Sequence, residues 1–380
     1  MWSRCHSPLS ARYFLGMANL VLYRKYRPGK FSEMVGQEAI LKTIKNALAQ
    51  GRQAHAYILF GSRGLGKTSL ARLIAKSVNC LNRKEGEFEA CGECQSCKTI
   101  AEGRAMDIVE IDAASNRGID EIRDLREGIK FSPAQLKYKV FIIDEVHMLT
   151  REAFNALLKT LEEPPSHALF ILATTEIHKV PETIISRCQR FDFAKLSAEK
   201  IVARLAGLAE AEGVKVDKKA LRLIALNANG GMRDAESLLG QIMAVQDKEI
   251  TLKEVEELLG VAGEPKIEEF FGALSERNKK EALRLISQVL EEGNDLAQFV
   301  KVSINYLRQL MILKADPTLK KIVAPELTEE RLKTILEQGE KFKEAEIVAL
   351  LRLLIQAGNE MKFVPVIQLP LEMAVMEFLA

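Results

Sequence analysis

No run in this 380-residue chain approaches the roughly 20 consecutive apolar residues that a bilayer-spanning helix requires, which excludes a helical membrane span. Neither charge sign is in excess: 54 Lys and Arg stand against 52 Asp and Glu, a formal net charge of +2. There is thus no global basic footprint, and any contact with nucleic acid must come from a local basic surface. No internal repeat or low-complexity segment stands out. A secretory signal is also missing, because no long apolar core follows the first basic residues. A cytoplasmic location with reduced thiols is therefore expected. Acidic residues are lacking in the first 16 positions, which hold the lone tryptophan, Trp2, and a stray Cys5. Residues 1–16 are expected to be a disordered extension or a vector-derived remnant, with a better-patterned segment opening at Met17. The rest is ordinary for a globular protein, 47% hydrophobic and 28% charged, and long enough for two or three domains.

The most informative stretch is Gly61-Ser62-Arg63-Gly64-Leu65-Gly66-Lys67-Thr68, which fits the P-loop pattern G-x-x-x-x-G-K-[ST]. Tyr57-Ile58-Leu59-Phe60 reads as the buried strand before it, and Ser69 to Ala75 as the helix after it. Glycines let the backbone approach phosphate oxygens without a Cβ in the way. The loop N–H groups and the helix N-terminus then form an anion nest. Lys67 is expected to reach the β- and γ-phosphates of ATP, and the Thr68 hydroxyl to ligate Mg²⁺. A plain glycine turn beside an exposed lysine is the bland alternative, and it leaves the flanking strand and helix unaccounted for.

Four of the six cysteines sit together, Cys80, Cys91, Cys94 and Cys97, spaced C-x10-C-x2-C-x2-C. Four thiolates on a short loop suit tetrahedral Zn²⁺. Free surface cysteines are the competing reading, and disulfides are weaker in a reducing compartment. No histidine or fifth donor lies in the cluster, so a catalytic zinc with an open position is not expected. Cys188 reads as a small semi-buried apolar residue.

Val140-Phe141-Ile142-Ile143-Asp144-Glu145 reads as an apolar strand ending in two carboxylates, the Walker B arrangement. Asp144 would hold Mg²⁺ and Glu145 would act as general base toward water. Such a string arises often by chance, and its weight comes from following a P-loop. A further strand, Ala168 to Ala173, ends in Thr174-Thr175, where a polar side chain can sense a γ-phosphate. Between these strands, Phe154, Leu157, Leu158 and Leu161 share a helical face, and Pro164-Pro165 stops that helix. Arg187 follows a short helix, Pro181 to Ile185, and Arg233 opens another after Gly230-Gly231. An arginine picked at random is more often a surface residue. In this company both become candidates for stabilising phosphate charge.

Together these motifs resemble those of AAA+ ATPases, and within them the gamma/tau subunit family of bacterial DNA polymerase III clamp loaders. Besides the P-loop and the four-cysteine insertion, the resemblance is carried by Leu22-Tyr23-Arg24-Lys25-Tyr26-Arg27-Pro28, Val35-Gly36-Gln37, Asp144-Glu145-Val146-His147-Met148-Leu149, the run Asn155 to Pro165, Ser186-Arg187-Cys188 and Arg233-Asp234-Ala235. It spans nearly all of residues 17–380. It implies an α/β AAA+ P-loop core, a parallel sheet flanked by helices, at 17–195 with a zinc module at about 80–97. A helical lid at 196–258 and an all-α oligomerisation collar at 259–380 would follow. Helical spacing in the last region, Ile267, Phe270, Phe271 and Leu274, then Leu283, Ile286, Leu290 and Leu296, fits a simple bundle equally well.

The resemblance further implies an ATP-driven motor that opens a sliding clamp and loads it on primer–template DNA. Tyr23 to Pro28 and Val35-Gly36 would line the adenine side. Thr175 would be the first phosphate sensor, Arg233 the second, acting in the same subunit, and Arg187 the finger reaching a neighbouring subunit's ATP. The loop Ala113 to Arg117 and the helix near Thr183 would face duplex DNA. Implied partners are delta, delta-prime and further gamma/tau copies in a hetero-pentamer, the clamp and DNA, with no membrane. Polymerase and helicase contacts are in doubt, because the long form's tail is not in this sequence. The activity is ATP hydrolysis, grouped with a nucleotidyltransferase holoenzyme although this chain has no polymerase site. A non-hydrolysing subunit of the same loader would have a degraded P-loop, yet Lys67, Thr68, Asp144 and Glu145 are intact. A Holliday-junction motor would lack the cysteine insertion. A small-molecule kinase would need neither the Asp-Glu pair nor a finger in trans.

Overall fold

The computed structural model describes residues 21–115, 125, 127–245, 249–259, 264–320 and 329–380. The expectations for residues 1–16, and for Asn116 and Arg117, lie outside the described residues. The chain divides into two compact units, 1–249 and 250–380.

The first unit is built on five parallel strands: β1 Ala56–Phe60, β2 Ile108–Asp112, β3 Lys139–Asp144, β4 Ala168–Thr174 and β5 Gln189–Asp192. Their order across the sheet is β2-β3-β4-β1-β5. Register places Phe60 beside Thr174 and Asp112 beside Asp144, so the strands' carboxyl ends lie level. β4 is buried along its whole length and β1 and β3 nearly so, which is why they read as continuous apolar runs and not as alternating ones. Two apolar layers flank the sheet. One holds Leu70, Ile74 and Ile142; the other holds Phe141, Phe170 and Leu157. This is the parallel, helix-flanked α/β core expected from the sequence.

The helices of this core are α1 Leu22–Lys25, α2 Glu38–Ala49, α3 Lys67–Val78, α4 Gln95–Ala101, α5 Arg151–Glu162 and α6 Glu182–Ile185, with α2 and α3 packed on one face of the sheet and α5 and α6 on the other. The helical lid of this unit follows, with α7 Ala198–Ala211, α8 Lys218–Asn227 and α9 Met232–Val245. Capping follows the sequence: the Thr150 hydroxyl accepts from Ala153 N to start α5, and the Ser197 hydroxyl accepts from Lys200 N to start α7.

Beyond Ile250, which ends a two-residue strand, the regular elements among the described residues of the second unit are helices: α10 Leu252–Leu259, α11 Glu264–Ser275, α12 Lys279–Glu291, α13 Leu296–Ala315, α14 Glu329–Glu340, α15 Glu344–Glu360 and α16 Leu369–Phe378. Ile267, Phe270, Phe271 and Leu274 are buried there as their spacing suggests, with Phe270 edge-on to Phe299. The structure adds which face of α12 is buried. Its inward face is Ala282, Leu285, Ile286 and Val289, while Leu290 is exposed. The i, i+3, i+4, i+7 set starting at Ala282 wins, and Leu290 lies one helical step past Val289.

Candidate functional site

Between β1 and α3 the chain must turn within a few residues while pointing its N–H groups outward. Gly61, Gly64 and Gly66 all have positive φ, +154°, +79° and +94°. A Cβ on Gly61 would stand 2.8 Å from Phe193 Cβ, and one on Gly64 would stand 3.2 Å from Arg233 Cβ. The first glycine is needed for core packing and the second for close approach of the lid. Gly66 serves as the N-cap of α3, so the loop ends at a helix N-terminus.

Lys67 opens α3 and is buried. Its Nζ donates to Gly61 O at 2.6 Å and Ser62 O at 2.8 Å, folding back over its own loop. Burial pushes its pKa down from the ordinary lysine value, and the carboxylates of Glu145 and Asp144 oppose that shift. Next along, Thr68 Oγ1 donates to Asp144 Oδ2 at 2.7 Å. A hydroxyl and a carboxylate oxygen held together at the sheet's carboxyl edge form a donor pair suited to Mg²⁺, a hard cation that takes few protein oxygens. The residues present therefore fit that ion.

The Walker B reading needs one refinement. β3 ends at Asp144, and Glu145 leaves the strand in the left-handed region, φ 49°. Thr175 Oγ1 donates to Glu145 Oε2 at 3.0 Å. Glu145 therefore sits between the ends of β3 and β4 and not in line with the strand.

A cavity of about 390 Å³ opens over the loop. Arg63, Gly64, Leu65, Gly66, Lys67 and Thr68 form its floor, with Asp144 and Glu145 beside them. Gly61 and Ser62 do not line it; their carbonyls hold the Lys67 ammonium. Tyr23, Arg27, Pro28 and Val35 close one side. Gly36 is not in the wall: a Cβ there would stand 2.4 Å from a Leu196 methyl, so it lets the chain cross Leu196. Gln37, at φ 59°, clamps Ala194 from both sides, donating to its carbonyl at 2.7 Å and accepting from its N–H at 3.1 Å.

Arg233 comes from the lid, at the start of α9. Its N–H donates to Gly64 O at 3.3 Å, and its guanidinium lies over the Tyr23 ring, 4.4 Å from the centroid. The lid therefore touches the glycine loop directly. Arg187 lies elsewhere. It is not among the cavity's lining residues, and its guanidinium donates to Thr183 O and to Glu162 Oε1, each at 2.7 Å.

Several cavity residues escaped sequence reasoning, Arg204, Glu236 and Asp112 among them. Arg204 on α7 donates to Tyr26 O at 2.8 Å and pairs at 3.4 Å with the buried Glu236 of α9. Burial raises the Glu236 carboxyl above its ordinary range, and Arg204 only partly offsets it. A charged residue on a lid helix carries no local signal of facing a cavity. Asp112, at the end of β2, also lines the site and could have been found as an acid closing an apolar strand.

The four cysteine sulfurs all lie within 4.8 Å of one another, with Cys91 Sγ 3.9 Å from Cys97 Sγ. A tetrahedral zinc with Zn–S of roughly 2.3 Å would need S···S of about 3.8 Å. Backbone N–H groups point at the sulfurs: Cys94 N donates to Cys91 Sγ at 3.3 Å and Cys97 N to Cys94 Sγ at 3.5 Å. Burial alone would raise the Cys94 thiol, but N–H donors from Cys97 and Leu81 bring it to about 6. The donor set fits a thiophilic metal. Cys188 stands apart, half-buried, its thiol pushed up to about 12 by burial.

Comparison with known proteins adds to this geometry. The family model for the DNA polymerase III delta subunit matches residues 36–197. The clamp loader subunit ATPase lid model matches 200–248, and domain III of subunits gamma and tau matches 250–380. DNA polymerase III subunit gamma of Buchnera aphidicola subsp. Schizaphis graminum is 37% identical over 358 residues, covering 94% of this chain and 97% of that protein. The chain belongs to the DNA polymerase III gamma/tau subunit family. Subunit tau of Bacillus subtilis is 43% identical over 91% of this chain, but the match spans only 61% of that longer protein. For Escherichia coli tau the figures are 40%, 79% and 46%. Among solved structures, the Thermotoga maritima RuvB Holliday junction branch migration motor superposes with a TM-score of 0.46 at 19% identity, over 66% of this chain and 79% of that one. That likeness is too loose to bear on function.

Proposed function

We propose that this gamma/tau-family chain is an ATP-hydrolysing motor subunit of the bacterial replicative clamp loader. The observation that carries this reading is the composite site. Lys67, Thr68, Asp144 and Glu145 are intact and converge on one cavity, and the lid residue Arg233 donates its N–H to Gly64 O on the cavity floor. A subunit that served only as scaffold would not need all four.

In this reading ATP lies over Gly61 to Thr68, its phosphates on the loop N–H groups. Lys67 leaves the Gly61 and Ser62 carbonyls for the phosphates. Thr68 and Asp144 would hold Mg²⁺, which would supply neutralisation of phosphate charge. Glu145 takes the proton of the attacking water, and Thr175 reports on the γ-phosphate from the end of β4. Arg233 senses the same nucleotide from the lid. Arg187, which does not line its own cavity, reaches the ATP of a neighbouring subunit. The base lies on the side of Tyr23, Arg27 and Val35.

ATP binding then favours an assembled spiral with delta, delta-prime and further gamma/tau copies, which opens the sliding clamp and admits primer–template DNA. Hydrolysis removes the γ-phosphate contacts and releases the closed clamp, a population shift driven by differential affinity. DNA contacts go to backbone phosphates, so affinity falls with salt and shows little sequence preference. The helix near Thr183 is one contact. The four cysteines hold a structural zinc, domain III forms the collar, and the protein works in the cytoplasm within the polymerase holoenzyme.

The test is ATPase activity of the assembled loader with and without clamp and primed DNA. Stimulation by both supports the reading; an ATPase rate indifferent to both would refute it.

A further inference from the structure

His147 has no part in the scheme above, yet it is placed beside its reactive carboxylate. It lies in the short 3₁₀ turn Val146–Met148 that follows Glu145, and its side chain is 6% exposed. The ring stands between the ends of β3 and β4. Nδ1 is 3.0 Å from Thr174 Oγ1 and 3.4 Å from Glu145 Oε2. Nε2 is 3.5 Å from Glu176 Oε1. Thr174 Oγ1, fully buried, also accepts from Glu176 N at 3.0 Å. Glu176 in turn is gripped by Lys179 at 2.9 Å. A polar ring buried to this degree is seldom tolerated for packing alone, because leaving its nitrogens unmatched is costly.

Glu145 itself needs holding. It is a non-glycine residue in the left-handed region, outside the strand that would otherwise fix it. Its Oε2 atom receives the Thr175 hydroxyl at 3.0 Å and has the His147 ring at 3.4 Å on the same oxygen. We propose that His147 is a positioning residue for Glu145: with Nδ1 anchored on Thr174 Oγ1, the ring packs 3.4 Å from Glu145 Oε2 and 3.5 Å from Glu176 Oε1 and fixes where the Glu145 carboxylate can lie between the ends of β3 and β4. The proposal rests on Glu145 being the general base, as argued above. A base displaced by about 1 Å can lose on the order of 100-fold in rate while substrate binding is unchanged.

The experiment uses the assembled loader with clamp and primed DNA. It measures steady-state kcat, KM and equilibrium ATP affinity for His147→Ala, His147→Asn and Glu145→Gln, and for His147→Ala combined with Glu145→Gln. His147→Ala is expected to lower kcat by roughly 10- to 100-fold and leave ATP affinity within about two-fold. His147→Asn, which keeps a nitrogen near the Nδ1 position, is expected to recover much of that loss. In the Glu145→Gln background the histidine substitution should cost nothing further, since a residue acting only through another is silent once that one is gone. A kcat within two-fold of wild type for His147→Ala, an equal loss of ATP affinity, or a full additional loss in the Glu145→Gln background each overturns the proposal. Full turnover by Glu145→Gln alone would instead overturn the general-base reading on which it rests. Thermal unfolding with and without ATP identifies a misfolded variant; if His147→Ala misfolds, His147→Phe, which keeps a ring but no nitrogen, replaces it with the same expected loss, and a kcat within two-fold of wild type there overturns the proposal.

Discussion

Gly64→Ala probes the junction between loop and lid while leaving the charged and hydroxyl groups of the site, Lys67, Thr68, Asp144 and Glu145, in place. Two costs follow from its geometry. At φ +79° an alanine is in the left-handed region, at a cost of roughly 1–2 kcal/mol. The new Cβ would also stand 3.2 Å from Arg233 Cβ and 3.4 Å from Arg233 N, so the start of α9 must retreat by a few tenths of an ångström. That retreat stretches the bond from Arg233 N to Gly64 O, already 3.3 Å long and worth roughly 0.5–1.5 kcal/mol. The backbone cost acts on stability and should lower Tm by about 2–8 °C for a unit of this size. The lid displacement acts on nucleotide binding, and about 1.4 kcal/mol there would weaken ATP roughly ten-fold. Gly51→Ala provides the control, with φ +64° and nothing within 4 Å of an added Cβ. It should lose similar Tm and keep ATP affinity within about two-fold. The assays are thermal unfolding and equilibrium titration with a fluorescent ATP analogue. If both alanine variants bind ATP equally well, close approach of lid to loop does not set affinity and the reasoning fails.

Other predictions concern single groups. Lys67→Ala should abolish ATP binding in a titration while far-ultraviolet circular dichroism stays unchanged; retained affinity would mean the cavity is not the nucleotide site. Arg187→Ala should keep ATP affinity and lose turnover in the assembled loader by about 10³-fold, as for an arginine supplied in trans. Weakened ATP binding by the isolated subunit would place that arginine in its own site. Chelator treatment should remove about one equivalent of zinc, measured by metal analysis, and expose four more thiols to a thiol reagent; unchanged thiol counts would contradict a metal held by Cys80, Cys91, Cys94 and Cys97. For Glu236 the folded carboxyl lies above its unfolded value because of burial. Its contribution to stability is then full below the ordinary carboxylate range and lost as pH rises through the folded pKa. The Tm of Glu236→Gln minus that of wild type should therefore grow as pH is raised from 4 to 7, and a falling difference would show that pairing with Arg204 outweighs burial.

Much of the site was legible because its chemistry is local. A phosphate nest needs glycines at fixed offsets before a helix, and a strand buried on both faces must be a continuous apolar run, so β1, β3 and β4 could be read directly. The cysteine spacing was sufficient because four sulfurs on one short loop have little choice of where to meet. Chain order could not place Arg204 and Glu236 on the cavity wall, or reveal that Gly36 serves Leu196. These depend on how α7 and α9 lie over the loop, more than 130 residues away in sequence. The helical spacing of Leu283, Ile286 and Leu290 did not say which of two adjacent faces of α12 is buried, since a hydrophobic residue near a helical period can sit on either. The sequence alone thus determined which groups can grip a phosphate or a metal, since those requirements act over a few residues. Only tertiary structure decided which of them share a cavity, that Glu145 leaves its strand to meet Thr175 and His147, and that Arg187 lies outside the cavity lining. Those outcomes depend on packing between elements far apart in the chain, where no local spacing rule applies.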